Sequence, residues 1–287
     1  MKIFSFAAAC VAACLFASSA NAGLVHHYAF DDLVDGGNAT DSVGGATGNW
    51  NGDAGANIAV GGFIGAGASQ TNDENGGNGE EHYTTSNLSG LDGASAMALS
   101  MWFNTNVDTN NNSTYNGLVM TRNLLSSFGG GSENWGIALE NNNTPRHIDW
   151  RVDGASGTET DNIIGNATDQ WRHVVFVWDG VNGARQLYQD GVLIHSEGAQ
   201  TGTITNGNSW DIGNDTCCGN REFTGTMDDI AFYNRPLNAS QVAKLYSGGL
   251  AGLNASEAIG VNAPEPSTFA LTGLAFAASL VMVRKRK

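Results

Sequence analysis

Residues 171–191 constrain the fold more than any other stretch of the chain. Trp171, His173, Val175 and Val177 alternate with Val174, Phe176 and Trp178, so an extended backbone there is apolar on both faces. Such a strand needs a packed layer above and below it. Asp190-Gly191 then separates the runs 184–189 and 192–195. That dipeptide is a type I′ hairpin signal, with Gly191 supplying the positive φ.

The rest of the chain agrees with this segment. Further short strands are expected at 24–30, 82–84, 96–103, 117–121, 135–140, 146–152, 208–213 and 223–233. Residues 35–79 are rich in Gly, Asn, Ala and Asp, with isolated Trp50, Ile58, Val60, Phe63 and Ile64. They predict long loops with one or two short strands and no separate domain. The 39 glycines imply many tight turns, and helix-period patterning is scarce before residue 238. The expected class is all-β, a two-sheet antiparallel sandwich.

One short helix is expected at the end of this domain. Asn238 has the chemistry of an N-cap and Gln241 completes a capping box. Leu237 and Val242 occupy the staple positions, while Val242, Leu245 and Tyr246 form an apolar stripe that Gly248-Gly249 should stop. Residues 250–263 read as a flexible linker.

The two ends have a different character. Met1-Lys2, an apolar run over 3–16 and Ala20-Asn21-Ala22 form a secretory signal peptide over residues 1–22. At the other end Pro264-Glu265-Pro266 precedes a predominantly apolar run, 269–283, and then Arg284-Lys285-Arg286-Lys287. As a helix the run spans about 22 Å, and snorkelling by the basic end extends that reach, so it is expected to act as a transmembrane helix. The positive-inside bias holds the four cations in the cytoplasm and leaves the upstream chain outside.

The exported portion, 23–263, carries 8 basic and 27 acidic residues, a net charge of −19. Nucleic acid is therefore excluded as a partner. Divalent cations are attracted to such a surface.

The C-terminal pattern resembles the PEP-CTERM sorting signal of Gram-negative bacteria, over residues 264–287. That resemblance implies recognition of the box by an exosortase-type enzyme, removal of the tail and transfer to the cell surface or exopolysaccharide layer. Until then the inner membrane would hold the chain through its C-terminal helix.

Three other segments together resemble the LamG-like jelly roll of the concanavalin A-like lectin/glucanase superfamily. They are Tyr28-Ala29-Phe30-Asp31 with Asp41-Ser42-Val43-Gly44-Gly45; Trp171-Arg172-His173-Val174 leading into Leu187-Tyr188-Gln189-Asp190-Gly191; and Phe223-Thr224-Gly225-Thr226-Met227-Asp228-Asp229-Ile230 running to Arg235-Pro236-Leu237. The resemblance implies a jelly-roll sandwich over residues 23–249. It also implies a structural calcium ion near the junction of the first and last strands. Carried over by position, its ligands would be Asp31 and Asp228, with Asp32 or Asp41 as helpers; hard oxygens suit calcium. The same acids equally suit turn capping, and the sequence leaves both roles open.

No catalytic constellation is visible. Laminarinase-like relatives place two carboxylates on one strand as Glu-x-Asp-x-x-Glu, and no such motif occurs. Asp228 and Asp229 are adjacent, so on a regular strand they would face opposite ways. A non-catalytic protein is expected, one that binds glycan within an exopolysaccharide layer. A purely structural or adhesive surface protein is the alternative, and a divergent hydrolase a further one. Trp50, Tyr115, Trp150 and Trp210 lie near loops and are the candidate sugar platforms. Cys217 and Cys218 are left as a vicinal disulfide, an interchain bridge or two free thiols.

Overall fold

The computed structural model describes residues 23–52, 57–70, 81–105, 115–122, 134–140, 147–153, 158–160, 170–199, 201–204, 209–215 and 221–259. The first strands are β1 (Leu24–Tyr28), β2 (Gly48–Asn51), β3 (Asn57–Gly61), β4 (Ala66–Gln70) and β5 (His82–Thr85). The middle of the chain forms β6 (Ala96–Asn104), β7 (Tyr115–Arg122), β8 (Asn134–Glu140), β9 (His147–Asp153) and β10 (Thr158–Thr160). Then follow β11 (Arg172–Asp179), β12 (Ala184–Gln189), β13 (Val192–Gly198), β14 (Asp211–Ile212) and β15 (Gly225–Tyr233). Two helices close the domain, α1 (Ala239–Leu250) and α2 (Ala255–Ala258).

The strands form two antiparallel sheets, as expected. An eight-stranded sheet runs β13-β12-β11-β6-β15-β4-β3, with β1 also paired to β15. A seven-stranded sheet runs β10-β9-β8-β7-β14-β5-β2. The main core lies between them and includes Tyr28, Tyr83, Leu99, Phe103, Val119, Ile137, Phe176, Trp178, Trp210, Ile212 and Phe232. A second cluster, with Ala98, Val175, Val177, Tyr188, Tyr233, Val242, Leu245 and Ala255, lies between the eight-stranded sheet and the helices. β11 is apolar on both faces because it serves both clusters.

Asp190 and Gly191 both have positive φ, 50° and 81°, as the hairpin signal requires. The capping box of α1 is present, with Asn238 Oδ1 accepting from the Gln241 amide at 3.0 Å and Gln241 Oε1 from the Asn238 amide at 3.0 Å.

Four expectations are corrected. The described part of residues 35–79 contains three strands, β2, β3 and β4, built largely from small residues that carry little hydrophobic signal. The strand expected over 208–213 shortens to β14. Gly248 and Gly249 do not stop α1 but lie buried within it, and a Cβ on Gly249 would stand 2.5 Å from the Trp102 ring. The stretch expected as a linker instead continues the domain to Ile259, and its last residues, 260–263, lie outside the described ones. Asn254 caps α2 with Glu257, and Ala255 is buried. Among the described residues no helix is long and apolar enough to cross a membrane, and the expected span 269–283 lies outside them.

Candidate functional site

Alternation along the strands builds a polar row on the outer face of the seven-stranded sheet. Tyr83 stands opposite Ile212, and Ile212 opposite Val119; all three belong to the main core. Their strand neighbours therefore face away from it. These are His82 and Thr84 on β5, Asp211 on β14 and Met120 on β7. On β2, Trp50 packs against the core while Asn49 and Asn51 flank it.

The polar members are linked. Asn51 Nδ2 donates to Thr84 Oγ1 at 2.6 Å, and Thr84 Oγ1 donates to Asp211 Oδ1 at 3.3 Å. His82 Nε2 lies 3.5 Å from the same oxygen, while its Nδ1 is buried without a hydrogen-bond partner. Asn49 is exposed whereas His82 and Asp211 are buried, so only the β2 end of the row reaches solvent. An amide, a hydroxyl, a carboxylate and an imidazole along one sheet face form the kind of set that reads a polyhydroxylated ligand. Sequence reasoning missed this row. Its only signal was polar alternation at Asn49-x-Asn51 and His82-x-Thr84, which is too short to mark a face without knowledge of the pairing.

The expected calcium ligands fall in two places. Asp31 and Asp228 each bond the turn 62–65 that joins β3 to β4, or the residue that follows it. Asp31 Oδ1 accepts from the Ala66 amide at 3.0 Å, and Asp228 Oδ2 accepts from the Ile64 amide at 2.7 Å. Asp31 is exposed, whereas Asp228 is fully buried and its Oδ1 has no hydrogen-bond partner. Burial, reinforced by the charge of Asp229, pushes the Asp228 carboxyl up to about 8 against the pull of the loop amides. Gly62 makes the approach possible, since a Cβ there would stand 2.5 Å from Asp228 Oδ2. Asp32 is exposed beside Asp31.

Asp41 lies in a different cluster, and its oxygens are already taken. Oδ1 accepts the amides of His27, Val43 and Gly44, and Oδ2 accepts that of Ala46 and pairs with His26 Nδ1 at 2.7 Å. Burial alone would raise this carboxyl, but His26 and the amides outweigh it and hold it well below the usual carboxylate range. Asp41 organises the loop after β1 and is withdrawn as a metal helper. Beside it, His27 bridges Ser42 Oγ (3.0 Å, Nδ1) and Asp229 Oδ1 (2.6 Å, Nε2). Asp229 also accepts the Ala255 amide at 2.9 Å and has φ 50°. A bulge in β15 thus sends the two adjacent acids to different tasks, Asp228 to the turn and Asp229 to the first strand and α2.

The aromatic candidates separate as well. Trp210 is 1% exposed and lies edge-on to Phe232 with 5.3 Å between ring centroids, so it is core and offers no platform. Trp50 is half-buried against Tyr83. Tyr115 and Trp150 occupy β7 and β9, with Glu140 and Ile137 as register partners. Cys217, Cys218, Pro264, Glu265, Pro266 and the tetrabasic end lie outside the described residues.

Residues 76–243, more than half of the chain, match the concanavalin A-like lectin/glucanases superfamily. The chain belongs to that superfamily. Its solved relatives in shape include the binding domain of botulinum neurotoxin serotype G, 19% identical, with TM-score 0.56 over 78% of this chain and 50% of that one. Another is Trypanosoma rangeli sialidase, 17% identical, with TM-score 0.54 over 81% of this chain and a third (33%) of the enzyme. A third is domain 4 of AbnA, a GH43 extracellular arabinanase of Geobacillus stearothermophilus solved with arabinotriose; it is 22% identical, with TM-score 0.50 over 78% of this chain and 98% of that domain. At these identities the likeness shows the superfamily's fold alone. The comparison with curated proteins gives no match.

Proposed function

We propose that this superfamily member is a non-catalytic glycan-binding protein, exported and held at the cell surface or in an exopolysaccharide matrix. The observation that carries the binding role is the linked polar row Asn51, Thr84, Asp211 and His82, whose β2 end reaches solvent while His82 and Asp211 lie buried behind it. Asp211 receives the Thr84 hydroxyl and has His82 beside it, an arrangement that fixes a hydrogen-bonding surface rather than freeing a carboxylate for acid–base work. Domain 4 of an arabinanase, solved in complex with arabinotriose, and a neurotoxin binding domain share the architecture, which supports the reading.

The test is a polysaccharide panel presented to the purified full chain, with Asn51→Ala and Thr84→Val as variants. Binding that weakens about tenfold in both variants is expected. Absence of binding to every polysaccharide leaves a structural or adhesive role, and turnover of any of them establishes a hydrolase.

The signal-peptide pattern and the Pro-Glu-Pro, apolar and tetrabasic series support export, exosortase processing and surface display. Cell fractionation checks this, with a processed product expected outside the inner membrane. Unprocessed chain in the cytosol would overturn it.

A structural calcium ion at the turn 62–65 is part of this proposal. Two carboxylates bond that turn or the residue after it. Backbone carbonyls or water would supply the remaining oxygens, since no cluster of three or more metal-ligating side chains occurs among the described residues. Asp228 Oδ1 is buried and unpartnered, and Asp31 adds a second carboxylate at the same turn. These two residues would hold the ion, and its charge would keep Asp228 ionised despite burial.

A further inference from the structure

The outer face of the eight-stranded sheet is only partly covered by the helices. Where α1 ends its cover, an aromatic series begins. Tyr246 of α1 stacks on Trp102 at 5.7 Å between centroids, and Trp102 stacks on Phe63 at 3.7 Å and 16°. Phe63 in turn leans on Trp171 at 5.9 Å and 56°. Trp102 is 2% exposed, whereas Phe63 and Trp171 are half-buried, so the series surfaces at its far end.

Polar side chains border that end. Thr226 stands opposite both Asn104 and Ser69 in register, one ladder step from the Asp228–Trp102 pair, so the three lie on the same face as Trp102. All three are half-buried, and Asn104 Oδ1 has no hydrogen-bond partner. The ring of Phe63 is set by its turn, since Asp228 and Asp31 grip the amides of Ile64 and Ala66 on the residues that follow it.

We propose that Trp171 and Phe63, with Asn104, Thr226 and Ser69, form a second glycan-binding site, for a neutral sugar chain, on the face opposite the polar row. Two rings tilted against each other offer apolar surface to the C–H face of a pyranose or furanose, while an amide and two hydroxyls meet its hydroxyl groups. Neutral rather than anionic sugar follows from charge. The adjacent cation, Arg172, bonds Asp190 Oδ2 at 3.1 Å and Gln170 Oε1 at 3.1 Å, and the chain carries a net charge of −15. Two sites on opposite sheet faces would let one molecule cross-link sugar chains.

The inference rests on the glycan-binding reading, and its test separates the two. Affinity electrophoresis of the full chain is run in gels containing soluble neutral glucans, mannans or arabinans, with alginate as the anionic arm. Trp171→Ala should weaken neutral-glycan binding about tenfold and Trp171→Phe should recover most of it. Asn104→Ala and Thr226→Val should each weaken it several-fold while melting temperature stays near wild type. The pair Asn51→Ala/Thr84→Val must leave a residual binding that Trp171→Ala removes. If Trp171 and Asn104 variants bind as wild type does, this site is overturned and the glycan reading stands. Preference for alginate also overturns it. If the wild-type chain binds no glycan, both fall together.

Discussion

Asp41 and Asp228 are both buried carboxylates close to the first and last strands, yet their surroundings leave them in opposite states. Asp41 receives four backbone amides and the His26 ring. Asp228 receives amides on one oxygen and nothing on the other. Burial pushes both carboxyls up; only the donor set around Asp41 is large enough to reverse the direction. A buried carboxylate saturated with donors is a structural clamp. One left with an orphaned oxygen retains chemical capacity, and a second, exposed acid, Asp31, bonds the Ala66 amide two residues beyond the Ile64 amide that Asp228 holds.

The largest expected effect tests the clamp. Asp41→Ala strands several buried amides and the His26 ring, and should cost about 3–5 kcal/mol of unfolding free energy measured by denaturant titration. A loss below about 1 kcal/mol would show that water replaces the carboxylate, and the contrast with Asp228 would vanish.

pH gives the second test, with opposite signs at the two sites. The Asp41 carboxyl lies below its unfolded value near 4, so its contribution is complete above that pH and is lost as acid protonates it in the folded state. The Asp228 carboxyl lies at about 8, above its unfolded value. The folded chain therefore binds an extra proton between about pH 4 and 8, and stability declines as pH rises through that window. Calorimetry in chelator should show a lower melting temperature at pH 8 than at pH 5. Asp228→Asn should remove that part of the slope, on the order of a few kcal/mol, and added calcium should flatten the wild-type slope likewise. A slope unchanged in Asp228→Asn would place the proton elsewhere.

How much of this was legible in the sequence depends on the range over which each feature is encoded. β11, the Asp190-Gly191 hairpin and the Asn238–Gln241 box were readable because each is written within a few consecutive residues. The long loops after β1 hid β2, β3 and β4 because Gly, Ala, Asn and Ser carry pairing without burying large side chains. The pairs His26–Asp41 and His27–Asp229 span 15 and 202 residues and obey no local spacing. Trp210 misled for a related reason, since its proximity to a loop in sequence says nothing about the core into which β14 turns it. The bulge at Asp229 likewise defeats the alternation rule that would have parted the two acids by face.

The smallest expected effect is the sharpest about chemistry. Asp31 is exposed and makes a hydrogen bond to the Ala66 amide, so in chelator Asp31→Ala should cost about 0.5–1 kcal/mol. In chelator the Asp31 and Asp228 changes should combine additively, apart from a small term through the shared turn. With saturating calcium the outcome differs if both carboxylates hold one ion. Either single substitution then abolishes most of the calcium-dependent rise in melting temperature, and the double variant loses little more. A double-mutant cycle in the two conditions therefore reads the ion directly, as a coupling that appears only with calcium. Additivity in both conditions would reduce Asp31 and Asp228 to turn clamps like Asp41, differing from it only in how completely their oxygens are used.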